Sequence, residues 1–310
     1  MMNARTVRIS SLLLLTALLT RGTSAPAAPR PLVIASWNLE WLVDTDTAHR
    51  ARMACRDGAP SELPCDVVRD LPRNSADLAR LAAYAQELDA DVVAFQEVEN
   101  ERIARRIFRG YQICLRPGPG LQQVGFALRP GLAHRCGQPL TQLAVTAQGR
   151  AGQPMTLSVP GLGNIELLAV HLKSGCAHDP LESTREACRL LAAQAQVLGQ
   201  WIQRQSARRV PFVVVGDFNR GGPPAVSDPF WAALGPDLFL ASSTVLPFAN
   251  CSWGAPYRNF IDHILVGRDL IFALPKDPFA QLRYRPGDAA RYLLSDHCPV
   301  GVSLNAFARL

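Results

Sequence analysis

The chain has 310 residues, a formal charge of +6 and 7% aromatic residues, enough for one large domain with a substantial core. The basic bias is compatible with a polyanionic ligand without requiring one. Eight cysteines fit an oxidising compartment, and with no C-x-x-C pair among them zinc-ribbon and thioredoxin-type chemistry have little support.

The first predicted element is a targeting segment. Arg5 and Arg8 precede the apolar run Leu12–Leu19, and small residues follow at Ser24, Ala25 and Ala27. That is the layout of a secretory signal peptide, expected over residues 1–27. A membrane anchor needs ~20 apolar residues, and this run has about half that. No cysteine ends the run to accept a lipid, the first being Cys55. The expectation is a secreted or periplasmic protein without a stable membrane anchor, folded as a single domain over residues 28–310. Loss of Arg5, Arg8 and Arg21 with the signal lowers the charge from +6 to +3.

After an Ala/Pro linker (Ala25–Pro31), the apolar run from Leu32 reads as a strand ending in the amide Asn38. Residues 43–74 read as a long loop. Ser75 is a candidate cap for a helix with Leu78, Leu81, Ala82, Ala85 and Leu88 on one face. A strand from Asp91 follows and ends in Glu97; residues 111–115, 123–129 and 132–146 read as shorter strands. Leu167–His171 is a strand ending in an imidazole, with Lys173 just beyond. Ser183-Thr-Arg-Glu186 has the form of a capping box before a helix that aligns Leu191, Ala195, Leu198 and Ile202. The run Pro211–Asn219 drives a strand apolar at both parities into Asp217 and Asn219. Phe260–Val266 carries Asp262, and Ser295-Asp-His297 precedes a last apolar pair, Pro299-Val300. Strands mixed with two clear helices predict an α/β layered domain.

The cysteines stand at 55, 65, 114, 136, 176, 188, 251 and 298. Eight cysteines allow 105 pairings; proximity in the chain favours Cys55–Cys65, Cys114–Cys136 and Cys176–Cys188, which leaves Cys251–Cys298. Structural staples are expected rather than catalytic thiols.

A carboxylate at the end of a buried strand is costly unless something uses it. Asp217 and Asn219, two apart on an extended segment, can face one site. Six strand-like segments end in such groups: Asn38, Glu97, His171, Asp217 with Asn219, Asp262, and Asp296 with His297. Gathered by a sheet, the set suits a hard cation such as Mg²⁺ together with two imidazoles. His263 follows Asp262 and should point the other way. His49, His134 and His178 read as surface residues, and Trp37 and Trp41 as packing residues.

Trp-Asn, Gln-Glu, His-Leu-Lys-Ser, Gly-Asp-Phe-Asn, Ile-Asp-His and Ser-Asp-His occur in that order between residues 32 and 303. The ordered set resembles the endonuclease/exonuclease/phosphatase superfamily, whose members include nucleases, inositol-polyphosphate phosphatases and bacterial sphingomyelinases. The resemblance implies a four-layer α/β/β/α sandwich of two mixed sheets with the site at one edge. It implies metal binding at Glu97, with Asn38 beside it and Asp296 as a further acid. It also implies that Asp217 and Asn219 orient the attacking water and contact the phosphate, that Asp262 positions a histidine, that His297 acts in acid/base work, and that His171 contacts the scissile phosphate. Lys173 reads either as a substrate-binding cation or as a solvated loop residue.

The expected function is a secreted divalent-metal-dependent phosphodiester hydrolase, a nuclease acting on DNA or RNA. Its cofactor would be Mg²⁺, with Mn²⁺ or Ca²⁺ as substitutes, and it would work as a monomer without an obligate protein partner. The alternatives are a sphingomyelinase-like phospholipase C, a small-molecule phosphatase and a catalytically silent binding module. Phe248–Trp253 is the nearest candidate for a membrane-touching aromatic turn. No dense Lys/Arg cluster suits a multiply phosphorylated sugar, and no motif residue is missing.

Overall fold

The computed structural model describes residues 30–70, 73–147, 149–222, 228–244, 251 and 259–306. The expected signal segment and, apart from Cys251, the stretch Phe248–Trp253 lie outside the described residues. In chain order the strands are β1 (Leu32–Leu42), β2 (Val92–Val98), β3 (Gln112–Cys114), β4 (Gln123–Leu128), β5 (Ala133–Cys136), β6 (Gln153–Val159), β7 (Gly163–His171), β8 (Phe212–Gly222), β9 (Leu238–Leu240), β10 (Phe260–Gly267), β11 (Phe279–Gln281) and β12 (Val300–Leu304). The helices are α1 (Thr45–Arg56), α2 (Cys65–Asp70), α3 (Ser75–Leu88), α4 (Glu101–Ile107), α5 (Glu186–Ala207), α6 (Pro229–Leu234) and α7 (Pro286–Arg291).

Among the described residues, one six-stranded sheet runs β11-β12-β1-β2-β4-β3 and the other β5-β6-β7-β8-β10-β9. The strand period of two decides which side chain enters which layer. Ile34, Ala94, Leu167, Val213 and Val215 meet between the sheets. Ala35, Val93 and Phe95 point outward beneath α3 and α4. Val170, Val214 and Phe218 point outward beneath α5 and α6. Both faces of β8 are therefore covered, which is why its sequence is apolar at every position up to Gly216. The architecture is the four-layer α/β/β/α sandwich of two mixed sheets.

Each sheet has a parallel pair at its centre, β1 with β2 and β7 with β8. Parallel strands end on the same side, so Asn38 and Glu97 leave one sheet together, and His171 and Asp217 leave the other. In register, Asp217 lies between His171 on β7 and Asp262 on antiparallel β10. There are four disulfides among the described residues, Cys55–Cys65, Cys114–Cys136, Cys176–Cys188 and Cys251–Cys298, and the second ties β3 of one sheet to β5 of the other.

Several local expectations change. Residues 43–74 are not a loop: α1 and α2 occupy most of them, with Asp44 accepting from Thr45 N–H at the start of α1 and Cys55–Cys65 joining the two helices. Asn74, not Ser75, caps α3; its side chain accepts from Ala76 and Asp77 N–H while Asp77 accepts from Asn74 N–H. The Ser183–Glu186 box does not form, because Ser183 Oγ accepts instead from Arg185 N–H, and Arg185 begins α5 without a side-chain cap. Of residues 132–146, only β5 is a strand; Thr141–Ala144 make a tight helical turn.

Gly216 is required where β7 and β8 close on one another. Its φ is 153°, and a Cβ there would lie 2.0 Å from the Val170 carbonyl oxygen. Overpacking and backbone strain each cost about 1–3 kcal/mol, so Gly216→Ala is expected to lower unfolding stability by on the order of 3 kcal/mol. Urea titration checks this, and an unchanged midpoint would remove the steric argument.

Candidate active site

The strand ends of both sheets open into a cavity of about 430 Å³. Glu97, His171, Asp217, Asn219, Asp262, Asp296 and His297 line it. Asn38 lies just beneath, where its amide nitrogen donates to Glu97 Oε1 (3.1 Å) and Asp217 Oδ2 (3.0 Å). That one side chain bridges the two sheets. Lys173 is not among the lining residues; it is half-buried beside His171.

Asp217 is buried and held from several sides. Asn219 N–H donates to its Oδ1 (2.8 Å), and the Asn219 amide nitrogen to its Oδ2 (3.1 Å). The same nitrogen donates to the Leu172 carbonyl (3.1 Å). Asn219 thus has both amide hydrogens engaged, with its backbone at φ 50°, and it orients the carboxylate. Burial raises the Asp217 carboxyl to about 7; Asp262 adds to the rise, while the charge of His297 and the hydrogen bonds oppose it.

His297 follows β10's Asp262 in space, its Nδ1 lying 2.7 Å from Asp262 Oδ2. Burial alone would lower this imidazole, but Asp262, with Asp217 and Asp296, lifts it well above the usual range. His297 Nε2 faces Asp217 Oδ2 (3.9 Å) and Asp296 Oδ1 (3.8 Å). Its segment is tied down by Tyr284, which accepts from Trp37 Nε1 (2.8 Å) and donates to the His297 carbonyl (2.7 Å). Ser295 Oγ donates to the Asn38 carbonyl and accepts from His297 N–H. His171 behaves oppositely. Burial, helped by the charges of Arg150 and His297, holds it well below the usual imidazole range. Its Nε2 lies 3.6 Å from Asp217 and 3.7 Å from Glu97, and its buried Nδ1 has no partner among the described residues.

On the other side of Asn38 the chain bulges. Register with β2 shifts between Asn38 and Leu42, and Glu40, Trp41 and Glu97 have φ of 46°, 50° and 60°. Bulges of this kind re-aim groups next to sites. Here the bulge lets Trp41 N–H donate to Glu97 Oε2 (3.0 Å) and brings the Glu40 carboxylate to Asp296 N–H (2.9 Å). Burial and then the charge of Asp296 push Glu40 up to about 7, with Glu97 adding and Arg73 opposing. Burial, Glu97 and Asp262 likewise raise Asp296, against His297. Oxygen-bearing acids whose charges crowd Glu40 and Asp296 in this way are what a hard divalent cation relieves. Asp217, Asp262 and His297 are the site group whose ligand atoms lie within 4.8 Å of one another.

Sequence reasoning did not single out Glu40, Arg73, Gln122 or Arg150. Glu40 was within reach, standing two residues beyond Asn38 as Asn219 stands beyond Asp217. Arg150 donates to Gln122 Oε1 and to the His171 and Leu172 carbonyls, and nothing in its Gly/Ala/Gln surroundings marks it. His263 points away from the site as expected, meeting Ser242 Oγ and the Arg220 carbonyl. The two tryptophans differ: Trp37 is fully buried, whereas Trp41 is half-buried at the cavity wall.

The pattern described as the Endonuclease/Exonuclease/phosphatase family matches residues 35–297. No curated protein sequence matches the chain. Among solved structures, a truncated Caenorhabditis elegans TDP2 is similar with a TM-score of 0.59 and 16% identity, over 89% of this chain and 98% of that one. D. rerio TDP2 complexed with single strand DNA product gives 0.56 and 19%, over 89% and 99%. A 3′-5′ exonuclease from Neisseria Meningitidis gives 0.52 and 17%, over 88% and 100%.

Proposed function

The chain belongs to the endonuclease/exonuclease/phosphatase family, and from that premise we propose that it is a secreted, divalent-metal-dependent phosphodiesterase whose substrate is nucleic acid. The observation that carries this reading is the line Asp262–His297–Asp217, in which one carboxylate holds a raised imidazole facing a raised, buried carboxyl, beside a second imidazole, His171, that burial lowers. Titratable neighbours whose environments separate their proton affinities are how a site assigns base and acid roles.

Diester hydrolysis needs an in-line water, neutralised phosphoryl oxygens and support for the departing oxygen. Asp217, with its carboxyl near 7, takes a proton from the attacking water, since a base works best when its pKa lies near the working pH. Asn219 and Asn38 aim it. His297, kept cationic by Asp262, and neutral His171 donate to phosphoryl oxygens as charge develops there. Lys173 adds positive potential beside His171, on which its charge acts. Glu97, Asp296 and Glu40 would hold Mg²⁺, or Mn²⁺ or Ca²⁺ in its place, and Asn38 orients Glu97 for that role. When bound, the ion neutralises phosphoryl charge and supports the departing oxygen.

Four disulfides support export into an oxidising compartment, and no described helix is long and apolar enough to cross a membrane. The D. rerio relative with its single strand DNA product supports nucleic acid over other diesters. The test assays purified mature protein on plasmid DNA, RNA, sphingomyelin and a bis-aryl phosphate, with Mg²⁺ or EDTA, beside Asp217→Ala. EDTA-sensitive cleavage of nucleic acid is expected, reduced about 10²–10⁴-fold by the substitution. Failure to cleave any diester overturns the enzymatic reading, and cleavage of sphingomyelin alone overturns the nuclease reading.

A further inference from the structure

Trp41 belongs to two cavities at once. One is the acid-rich cavity above; the other, of about 290 Å³, is lined by Thr45, Ala48, His49 and Arg52 of α1. The second cavity has the opposite charge character: His49, Arg52 and Arg73 contribute to its wall, and no Asp or Glu does. Val43 and Ala48 add apolar wall, and Thr45 and Asn74 add neutral polar wall. His49 and Arg52, three apart on α1, share a helix face, and both are exposed. Arg50 and Arg56 on the same helix pair with Glu62 and Asp57, whereas Arg52 has no ion pair among the described residues. A bulky residue in left-handed backbone is strained, and such strain gathers at ligand clamps; Trp41 holds that conformation next to an equally strained Glu40.

We propose that this second cavity is a subsite for the nucleotide flanking the scissile phosphate, with Trp41 as the stacking platform for its base and Arg52 and His49 as the contacts of the next phosphate. An aromatic platform adjoining a basic groove is how single strands are held without sequence preference. A base inside a continuous duplex has both faces covered by its neighbours, so a base seated against Trp41 belongs to an unpaired strand or to a strand end. The assignment rests on the nuclease reading and deepens it by naming the form of nucleic acid.

Binding decides it separately from turnover. Full mature protein carrying Asp217→Asn, in Mg²⁺ buffer, is titrated into fluorescein-labelled hexathymidylate and into a hexamer abasic throughout, and Kd is read by anisotropy. Trp41→Ala, added to that protein, is expected to raise Kd about tenfold for hexathymidylate and less than about twofold for the abasic strand, the range of stacking on one aromatic. Trp41→Phe should retain most of the preference for bases. Arg52→Ala should reduce the slope of log Kd against log salt by about one, the signature of one lost phosphate contact. Equal losses on both strands would make Trp41 a packing residue and overturn the subsite, as would an unchanged Kd. Should Trp41→Ala not fold, Trp41→Phe and Arg52→Ala carry the test, and an unchanged salt slope overturns it. A protein that binds hexathymidylate in this way but cleaves no diester retains the subsite and loses the catalytic reading.

Discussion

Replacing Asp262 with Asn is expected to lower turnover about 10²–10⁴-fold, the usual worth of a positioned proton-transfer group, and to reshape the pH profile. Turnover in the wild type should rise with pH through about 7, as Asp217 loses its proton. It should fall only well above the ordinary imidazole range, where His297 becomes neutral. Removing the Asp262 charge leaves burial unopposed by its strongest partner, so His297 loses its proton earlier and the falling limb moves toward acid. The alkaline side of the profile should therefore collapse more than the acidic side. Stability follows the same group. A histidine raised in the folded state contributes stability that is complete below its unfolded value near 6.5 and is lost as pH rises through the folded value. The variant should thus be least stable relative to wild type in acid, and the gap in Tm should close as pH rises. A variant with wild-type turnover and profile would take the pair out of the chemistry.

Arg73→Ala should give the largest loss of stability. The Arg73 side chain is 4% exposed, donates to the carbonyls of Glu40 (2.7 Å), Leu294 (3.0 Å) and Leu293 (3.3 Å), and lies 3.6 Å from the Glu40 carboxylate. Truncation leaves three carbonyls and a carboxylate without this partner. Breaking a buried ion pair costs about 3–5 kcal/mol, so Tm should drop by on the order of 10 °C in a domain of this size. Arg73→Lys should recover only part of it, because an ammonium cannot fork among several carbonyls. Calorimetry measures both, and a change of Tm within experimental error for Arg73→Ala would show that the buried guanidinium is dispensable.

The strands that carry the site were legible because burial on both faces writes a continuous apolar run, and a polar terminus then stands out, as at Asp217. What joins those termini was less legible. Asp262 meets His297 across 35 positions of the chain, a pairing that spacing does not announce; the family resemblance implied that Asp262 positions a histidine but not which one. Arg73 takes its partners from Leu293 and Leu294, some 220 positions away, so nothing local marks it. Residues 43–74 hid two helices because α1 buries only Thr47 and Ala51, too little apolar content to set a period. The Ser183 box misled because serine bonds its own turn as readily as a helix start.

The Asn38 amide touches Asp217, 179 positions onward, and Ser295 returns to the Asn38 carbonyl across 257 positions. Contacts so distant in sequence form late, since their loop-closure entropy must be met first. Neither sheet owns a complete set of groups. A nascent or half-folded chain therefore carries no working fragment, and hydrolytic power appears only at the moment the two halves of the molecule meet.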